Sequence, residues 1–147
     1  SPAGADLDKA CEALPGHNAK IKARGSAVGR DVRTIINPHV ICRGTEAEAW
    51  AQYQAILDGE DPVAADNFHA TFAGGDQSSW KGATRDQWVI GGNVHIVGTP
   101  TQVVEAFARL HEAGCDGVQV NFYDFLPDLD YFGQHVVPLM KQAGLRL

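Results

Sequence analysis

The chain has 147 residues, 44% of them hydrophobic, which is enough for one buried core and excludes intrinsic disorder and a small disulfide-stapled scaffold. The formal net charge of −6, without a run of Lys or Arg, argues against nucleic acid as a partner. No window approaches the ~18 apolar residues of a membrane span, and the three cysteines lie far apart without metal or disulfide spacing. Composition therefore predicts a soluble protein of the reducing cytoplasm that does not bind membranes.

The first 60 residues predict a helix, a strand and a second helix. The Ala- and Lys-rich segment 6–29 is typical of a helix, with a break at Pro15-Gly16. The β-branched run 32–42 predicts a strand. Thr45 and Glu48 have capping-box spacing and predict a helix that ends at Gly59. One face of that helix is predicted to carry Trp50, Tyr53 and Leu57.

The middle of the chain is less regular. Asp61-Pro62 predicts the start of a short helix that reaches about Phe72. The segment 74–79 has no apolar period and predicts a surface loop. A short apolar strand at 95–97 follows Gly91-Gly92 and ends at Gly98.

The last third predicts a helix, a strand and a helix. Thr99 as N-cap, followed by Pro100 and Gln102, predicts a helix that Gly114 closes. Its buried face should comprise Val103, Val104, Phe107, Leu110 and His111. The run 116–122 predicts a strand, and a final helix is expected from Asp128 to Gly144. Its apolar face should comprise Leu129, Phe132, Val136, Leu139 and Met140.

This alternation predicts an α/β fold with parallel strands joined by right-handed crossovers. Three such strands with helices on one face leave the other face bare, and a complete (β/α)8 barrel needs about 250 residues. Three explanations stay open. The chain is part of a larger barrel, two copies complete one core, or the sheet is a small three-layer sandwich with a further strand.

Side-chain alternation selects candidate site residues on the face away from the helices. On the first strand this face carries Asn37 and His39, and on the last it carries Asn121 and Tyr123. His39 is suited to hydrogen bonding or acid–base chemistry, or is a structural histidine. Glycines 91 and 92 allow close backbone approach to a phosphate. The remaining histidines have no metal-site spacing, so we predict no metal.

Two stretches carry a family resemblance. The segment 37–50, NPHVICRGTEAEAW, resembles alkanesulfonate monooxygenases where a strand with a histidine leads into a helix beginning TxxEAW. The segment 91–103, GGNVHIVGTPTQV, and the later run GCDGVQVNFYDF are similar to dimethylsulfone monooxygenases of the same superfamily. The resemblance implies the C-terminal portion of a luciferase-like (β/α)8 TIM barrel. Residues 1–147 would form a single unit, its C-terminal half, with the N-terminal half outside this chain.

The resemblance also implies an activity. Members of this family use reduced FMN (FMNH2), from a separate NAD(P)H-dependent flavin reductase, and O2 to cleave a carbon–sulfur bond. We therefore expect oxidation of dimethyl sulfone or a related small organosulfur compound. The resemblance implies that His39 and Tyr123 line the flavin and substrate pocket as catalytic residues. Together with the alternation, it suggests that the cofactor-binding residues are Asn37, Gly91, Gly92 and Asn121.

Two departures bear on the substrate. Alkanesulfonate monooxygenases have arginines where this chain has Asn37 and Ile90, and the loss of two cations favours a neutral sulfone over a sulfonate anion. Two other functions stay open. One is hydride transfer on a deazaflavin within the same superfamily, and the other is a non-catalytic half-barrel that binds no flavin. A bare sheet face favours a homo-oligomer in either case.

Overall fold

The computed structural model of the protein describes residues 5–73 and 84–146. The predicted loop 74–79 lies outside the described residues. Helices and strands alternate, which confirms the α/β class. In chain order the elements are α1 (Leu7–Ser26), β1 (Ile35–Ile36), β2 (His39–Cys42), α2 (Glu46–Asp58), α3 (Pro62–Ala73), α4 (Arg85–Val89), β3 (His95–Gly98), α5 (Pro100–Glu112), β4 (Gly117–Val118), α6 (Phe125–His135) and α7 (Val137–Gln142).

The first predicted strand lies in the centre of the strand arrangement. It is divided at Pro38 into β1, which pairs in parallel with β4, and β2, which pairs in parallel with β3. A parallel bridge between His39 and Asn121 links the two pairs. The prediction of one continuous strand at 32–42 is therefore wrong, because proline has no N–H to donate to a ladder and the pairing on the β4 side is interrupted at that residue.

The predicted alternation along this strand is confirmed on the helix side. Thr34, Ile36 and Val40 are buried, and the core beneath them is built largely from α5, whose Val103 and Leu110 are fully buried. The Thr99–Gln102 capping box and Pro100 begin α5 as predicted.

The opposite face is partly covered by the chain itself. Ile41 packs there with Ile56 of α2 and Ile90, which follows α4, in a second apolar cluster. Helix α4 had no counterpart in the sequence prediction. This second cluster covers β2 but not β1, since Ile35 in β1 is 65% exposed.

Several predicted helix details are wrong. Helix α1 continues through Pro15 without a break, because Leu14 and Asn18 on either side are buried and this packing offsets the hydrogen bond that proline omits. Helix α6 begins at Phe125 rather than Asp128, since Asp128 turns inward to pair with Arg43.

Three side chains that were predicted to share a helix face with apolar neighbours are exposed, namely Trp50, His111 and Leu129. His111 occupies the last turn of α5, where its Nδ1 lies 3.2 Å from the Cys115 carbonyl oxygen. Across the described ranges, none of the helices has the length and apolar character needed to cross a membrane.

Candidate functional site

The predicted site residues converge on the bridge between β2 and the segment after β4. His39 is the register partner of His95 on β3 and of Asn121 on its other side. The His39 N–H donates to the Val94 carbonyl at 2.7 Å, and the Val40 N–H donates to the Asn121 carbonyl at 2.9 Å. These backbone bonds fix His39 between two neighbouring chain segments.

His39 is buried without a partner for its ring nitrogen Nε2. The residue is 7% exposed, and none of the described residues makes a hydrogen bond with this atom. Burial lowers the His39 pKa to about 4, with a smaller contribution in the same direction from His95. The imidazole is therefore neutral at physiological pH. A buried polar atom left unpaired costs about 1–3 kcal/mol, so Nε2 is suited to a hydrogen bond with a bound molecule.

Asn37 and Asn121 form a second part of the site. The Asn121 Nδ2 atom donates to Asn37 Oδ1 at 2.6 Å. Asn37 also lines a cavity of about 380 Å³ that opens between α1 and β1. The pair therefore joins the two inward-facing positions that alternation had selected.

Tyr123 stands at the rim of the same site. Its ring centroid lies 6.4 Å from that of His39, and its side chain is 52% exposed. The phenolic hydroxyl of a half-exposed tyrosine is free to hydrogen-bond either water or a ligand.

The glycine pair forms the bend before β3. Gly91 has φ +130°, a conformation that L side chains rarely adopt, and a Cβ at this position would lie 3.7 Å from His39 Nδ1. The positive φ, rather than a lack of space beside the histidine, therefore accounts for glycine at this position. Gly92 follows in the same bend and is half-buried.

Sequence reasoning missed three residues of the site. His95 Nε2 lies 2.8 Å from the Gly91 carbonyl oxygen, and Nδ1 lies 3.4 Å from Tyr53 Oη. Tyr53 Oη in turn donates to Asp86 Oδ2 at 3.0 Å. Tyr53 was predicted to share a face of α2 with Trp50 and Leu57, but nothing in the sequence connects it with β3 or α4.

The electrostatics of these three groups follow from their surroundings. Burial raises the pKa of Tyr53, and its hydrogen bond to Asp86 raises it further. Burial lowers the pKa of His95 despite the hydrogen bond to Gly91. Burial would raise the pKa of Asp86, but hydrogen bonds from Thr84 and Tyr53 together lower it. At neutral pH the carboxylate is therefore ionised beside an uncharged tyrosine and an uncharged histidine.

The two positions at which alkanesulfonate monooxygenases are expected to carry arginines hold uncharged side chains here. Asn37 is an amide, and Ile90 is buried in the second apolar cluster. Arg43, at the end of β2, pairs with Asp128 Oδ1 at 2.8 Å. Over residues 5–73 and 84–146 no group of three His, Cys, Asp or Glu side chains is placed to hold a metal ion.

Relatives with curated functions match most of this chain but a minor part of their own length. A protein of Pseudomonas fluorescens named FMNH2-dependent dimethylsulfone monooxygenase is 34% identical over 131 residues, which is 83% of this chain and 36% of that protein. A pyrimidine monooxygenase, RutA, of Acinetobacter baylyi is 32% identical over 135 residues, 87% of this chain and 36% of that protein. The chain thus spans about a third of the length of these relatives.

A solved structure shares the fold of this chain. The crystal structure of a riboflavin lyase with modified FMN and riboflavin superposes with a TM-score of 0.78 at 24% identity, over 93% of this chain and 38% of that one. This likeness confirms the predicted portion of a luciferase-like (β/α)8 barrel. The sequence model of the family described as luciferase-like monooxygenase matches residues 2–117. The chain belongs to the luciferase-like monooxygenase family.

Proposed function

We propose that this chain supplies one wall of the reduced-FMN and substrate pocket of a flavin-dependent monooxygenase. The observation that carries the proposal is the unpaired Nε2 of His39, buried at the centre of the predicted site. A neutral imidazole donates or accepts one hydrogen bond at this atom, so it fits a ring nitrogen or carbonyl of a flavin as well as an oxygen of a substrate.

Each predicted residue then has a task in the pocket. His39 forms a hydrogen bond with the bound molecule, and the hydroxyl of Tyr123 donates a hydrogen bond to it from the rim of the pocket. Asn37 and Asn121 hold each other in place beside them, while the absence of side chains at Gly91 and Gly92 lets the backbone approach the cofactor. Reduced FMN, when bound, supplies the electrons that activate O2.

For the substrate we propose a small neutral organosulfur compound such as dimethyl sulfone, with cleavage of a carbon–sulfur bond. The uncharged Asn37 and the buried Ile90 support this choice, because a sulfonate anion calls for cationic partners. The names of two relatives, one from Pseudomonas putida and one from Pseudomonas fluorescens, support it as well. The pyrimidine monooxygenases among the relatives make a pyrimidine the alternative to test.

The rest of the proposal concerns the whole protein. Residues 1–147 form one unit, the C-terminal part of a longer cytoplasmic barrel enzyme that receives FMNH2 from an NAD(P)H-dependent flavin reductase. The 36% share of the relatives' length supports this. Exposed apolar side chains such as Ile35, Phe125 and Leu126 support burial against further barrel strands and in a homo-oligomer.

Binding selectivity tests the proposal. The chain is titrated anaerobically with reduced FMN and, separately, with a reduced deazaflavin, and the flavin absorbance is followed. We expect saturable binding of reduced FMN and at least about tenfold weaker binding of the deazaflavin, a difference of ~1.4 kcal/mol. Addition of dimethyl sulfone should then perturb the bound-flavin spectrum, whereas methanesulfonate and uracil should not. Equal or tighter binding of the deazaflavin would reject the assignment of FMN as the cofactor. A spectral response to uracil but not to dimethyl sulfone would identify a pyrimidine, rather than a sulfone, as the substrate.

A further inference from the structure

A chain of hydrogen bonds reaches the His39 pocket from helices α2 and α4. Tyr53 Oη lies 3.0 Å from Asp86 Oδ2 and 3.4 Å from His95 Nδ1, and His95 Nε2 lies 2.8 Å from the Gly91 carbonyl oxygen. A carbonyl oxygen only accepts hydrogen bonds, so Nε2 carries the proton of the neutral ring. The bare Nδ1 therefore faces the Tyr53 hydroxyl.

Tyr53 has one proton for two acceptors. The Asp86 carboxylate is the closer and the stronger acceptor, so Tyr53 donates to it and leaves His95 Nδ1 without a donor. A proton taken up at Nδ1 would be donated to Tyr53 Oη, and each atom of the chain would then be paired. These contacts consequently favour the protonated form of His95 and oppose the burial that lowers its pKa.

His39 has the opposite surroundings. Its buried Nε2 meets no acceptor among the described residues. It is faced by His95 from β3, at a ring-centroid distance of 6.4 Å, and by Tyr123 after β4, also at 6.4 Å. The Asp128 carboxylate of α6 acts on it from farther away and is paired with Arg43. A positive charge on His95 opposes a second positive charge on His39.

We propose that Tyr53 and Asp86 are positioning residues that make His95 the first histidine of the pair to take up a proton as the pH falls, so that His39 stays neutral, with its Nε2 free for the bound ligand, to a lower pH. The inference rests on the proposed function for the identity of that ligand. The protonation order is a property of the chain without any ligand. The groups that set this order come from four elements, α2, α4, β2 and β3.

Imidazole nitrogen-15 NMR of the flavin-free 147-residue chain tests the proposal. His39 and His95 signals are assigned with His39→Gln and His95→Gln, and both rings are titrated from about pH 8 to about pH 4. In the wild type we expect neutral His95 as the Nε2–H form and proton uptake at His95 before His39. Asp86→Asn should lower the pH at which His95 titrates by at least about 0.5 unit, and His39 should then titrate at a higher pH than in the wild type.

Two further variants make the result specific. Tyr53→Phe keeps the Asp86 charge but removes the bridge, and should shift His95 in the same direction by a smaller amount. Asp58→Asn removes a carboxylate from the end of the same helix α2, bonded to Gln54, and should leave both rings unchanged. The proposal would be overturned if His39 took up a proton before His95. It would also be overturned if His95 titrated at the same pH in the wild type, Asp86→Asn and Tyr53→Phe. Failure of flavin binding would reject the proposed function and leave this titration unaffected.

Discussion

The side chain of Asn121 donates a hydrogen bond of 2.6 Å to the side chain of Asn37. Asn37 precedes Pro38, where the pairing between the first strand and the β4 segment is interrupted, and Asn121 restores that pairing through its bridge to His39. The bond therefore ties the junction of β1 and β2 to the segment that carries Tyr123.

Removal of this bond should destabilise the fold. Asn121→Ala leaves the Asn37 amide oxygen unpaired at a half-buried position, and we expect the free energy of unfolding to fall by about 1 kcal/mol. Urea denaturation followed by circular dichroism measures the change. Gln134→Ala is the control, because it removes an exposed amide bonded to Asp130. Equal losses of unfolding free energy in the two variants would show that the hydrogen bond between the asparagines contributes no more to stability than an exposed one.

The ion pair that anchors α6 to the end of β2 should contribute more. Asp128 is 6% exposed and accepts from Arg43 at 2.8 Å, so Asp128→Ala leaves a half-buried guanidinium without its partner. We expect a loss of about 2 kcal/mol. Asp8→Ala removes the 79% exposed partner of Arg109 and should cost less than about 0.5 kcal/mol. A loss for Asp128→Ala no larger than for Asp8→Ala, measured by denaturation, would contradict this ranking.

The N-cap of α5 offers a comparison of two threonines in one turn. Thr99 Oγ1 accepts from the Gln102 N–H, and the Thr99 N–H donates to Gln102 Oε1. Thr101 is exposed. Thr99→Ala should lower the melting temperature and cost about 1 kcal/mol. Thr101→Ala should leave stability within about 0.5 kcal/mol of the wild type, as most exposed substitutions do. The reverse order would refute the role of the cap.

Acid should remove the contribution of Asp116. Hydrogen bonds from Lys22 and from the Thr34 backbone N–H lower the pKa of Asp116 to about 2. Because this folded-state pKa lies below the ~3.9 of an unfolded aspartate, the carboxylate stabilises the fold above that range and ceases to do so as the pH falls through it.

Denaturation of the wild type and of Asp116→Asn at several pH values tests the sign. The wild type should be the more stable of the two near neutral pH, and the difference should shrink steadily below about pH 4. If the difference in stability between the two proteins stayed constant down to about pH 2, it would have to come from the geometry of the amide rather than from the charge of the carboxylate.

Local signals predicted much of the fold. The capping boxes at Thr45 and Thr99 set the starts of α2 and α5 because their side chains and backbone are adjacent in the chain. Alternation placed Asn37, His39 and Asn121 on one face, and parallel pairing then brings them together.

The rest depended on contacts between distant segments. Tyr53, Asp86 and His95 meet because α2 and α4 fold over β3, and no spacing in the sequence encodes that approach. Asp128 was expected to start a helix. It lies instead within the first turn of α6, where it forms an ion pair with Arg43. In each case a tertiary contact overrode a local preference.

Titration of the chain with anaerobically reduced FMN tests the central claim most directly. Intact mass and light scattering on the same sample define the species, and His135→Ala serves as the control because that histidine is exposed on α6. We expect saturable binding that weakens at least about tenfold in His39→Ala, less in Tyr123→Phe, and not in His135→Ala. Absence of saturation by a chain of confirmed mass, or equal affinity of the wild type and His39→Ala, would contradict the claim that this chain forms a wall of a flavin pocket around His39.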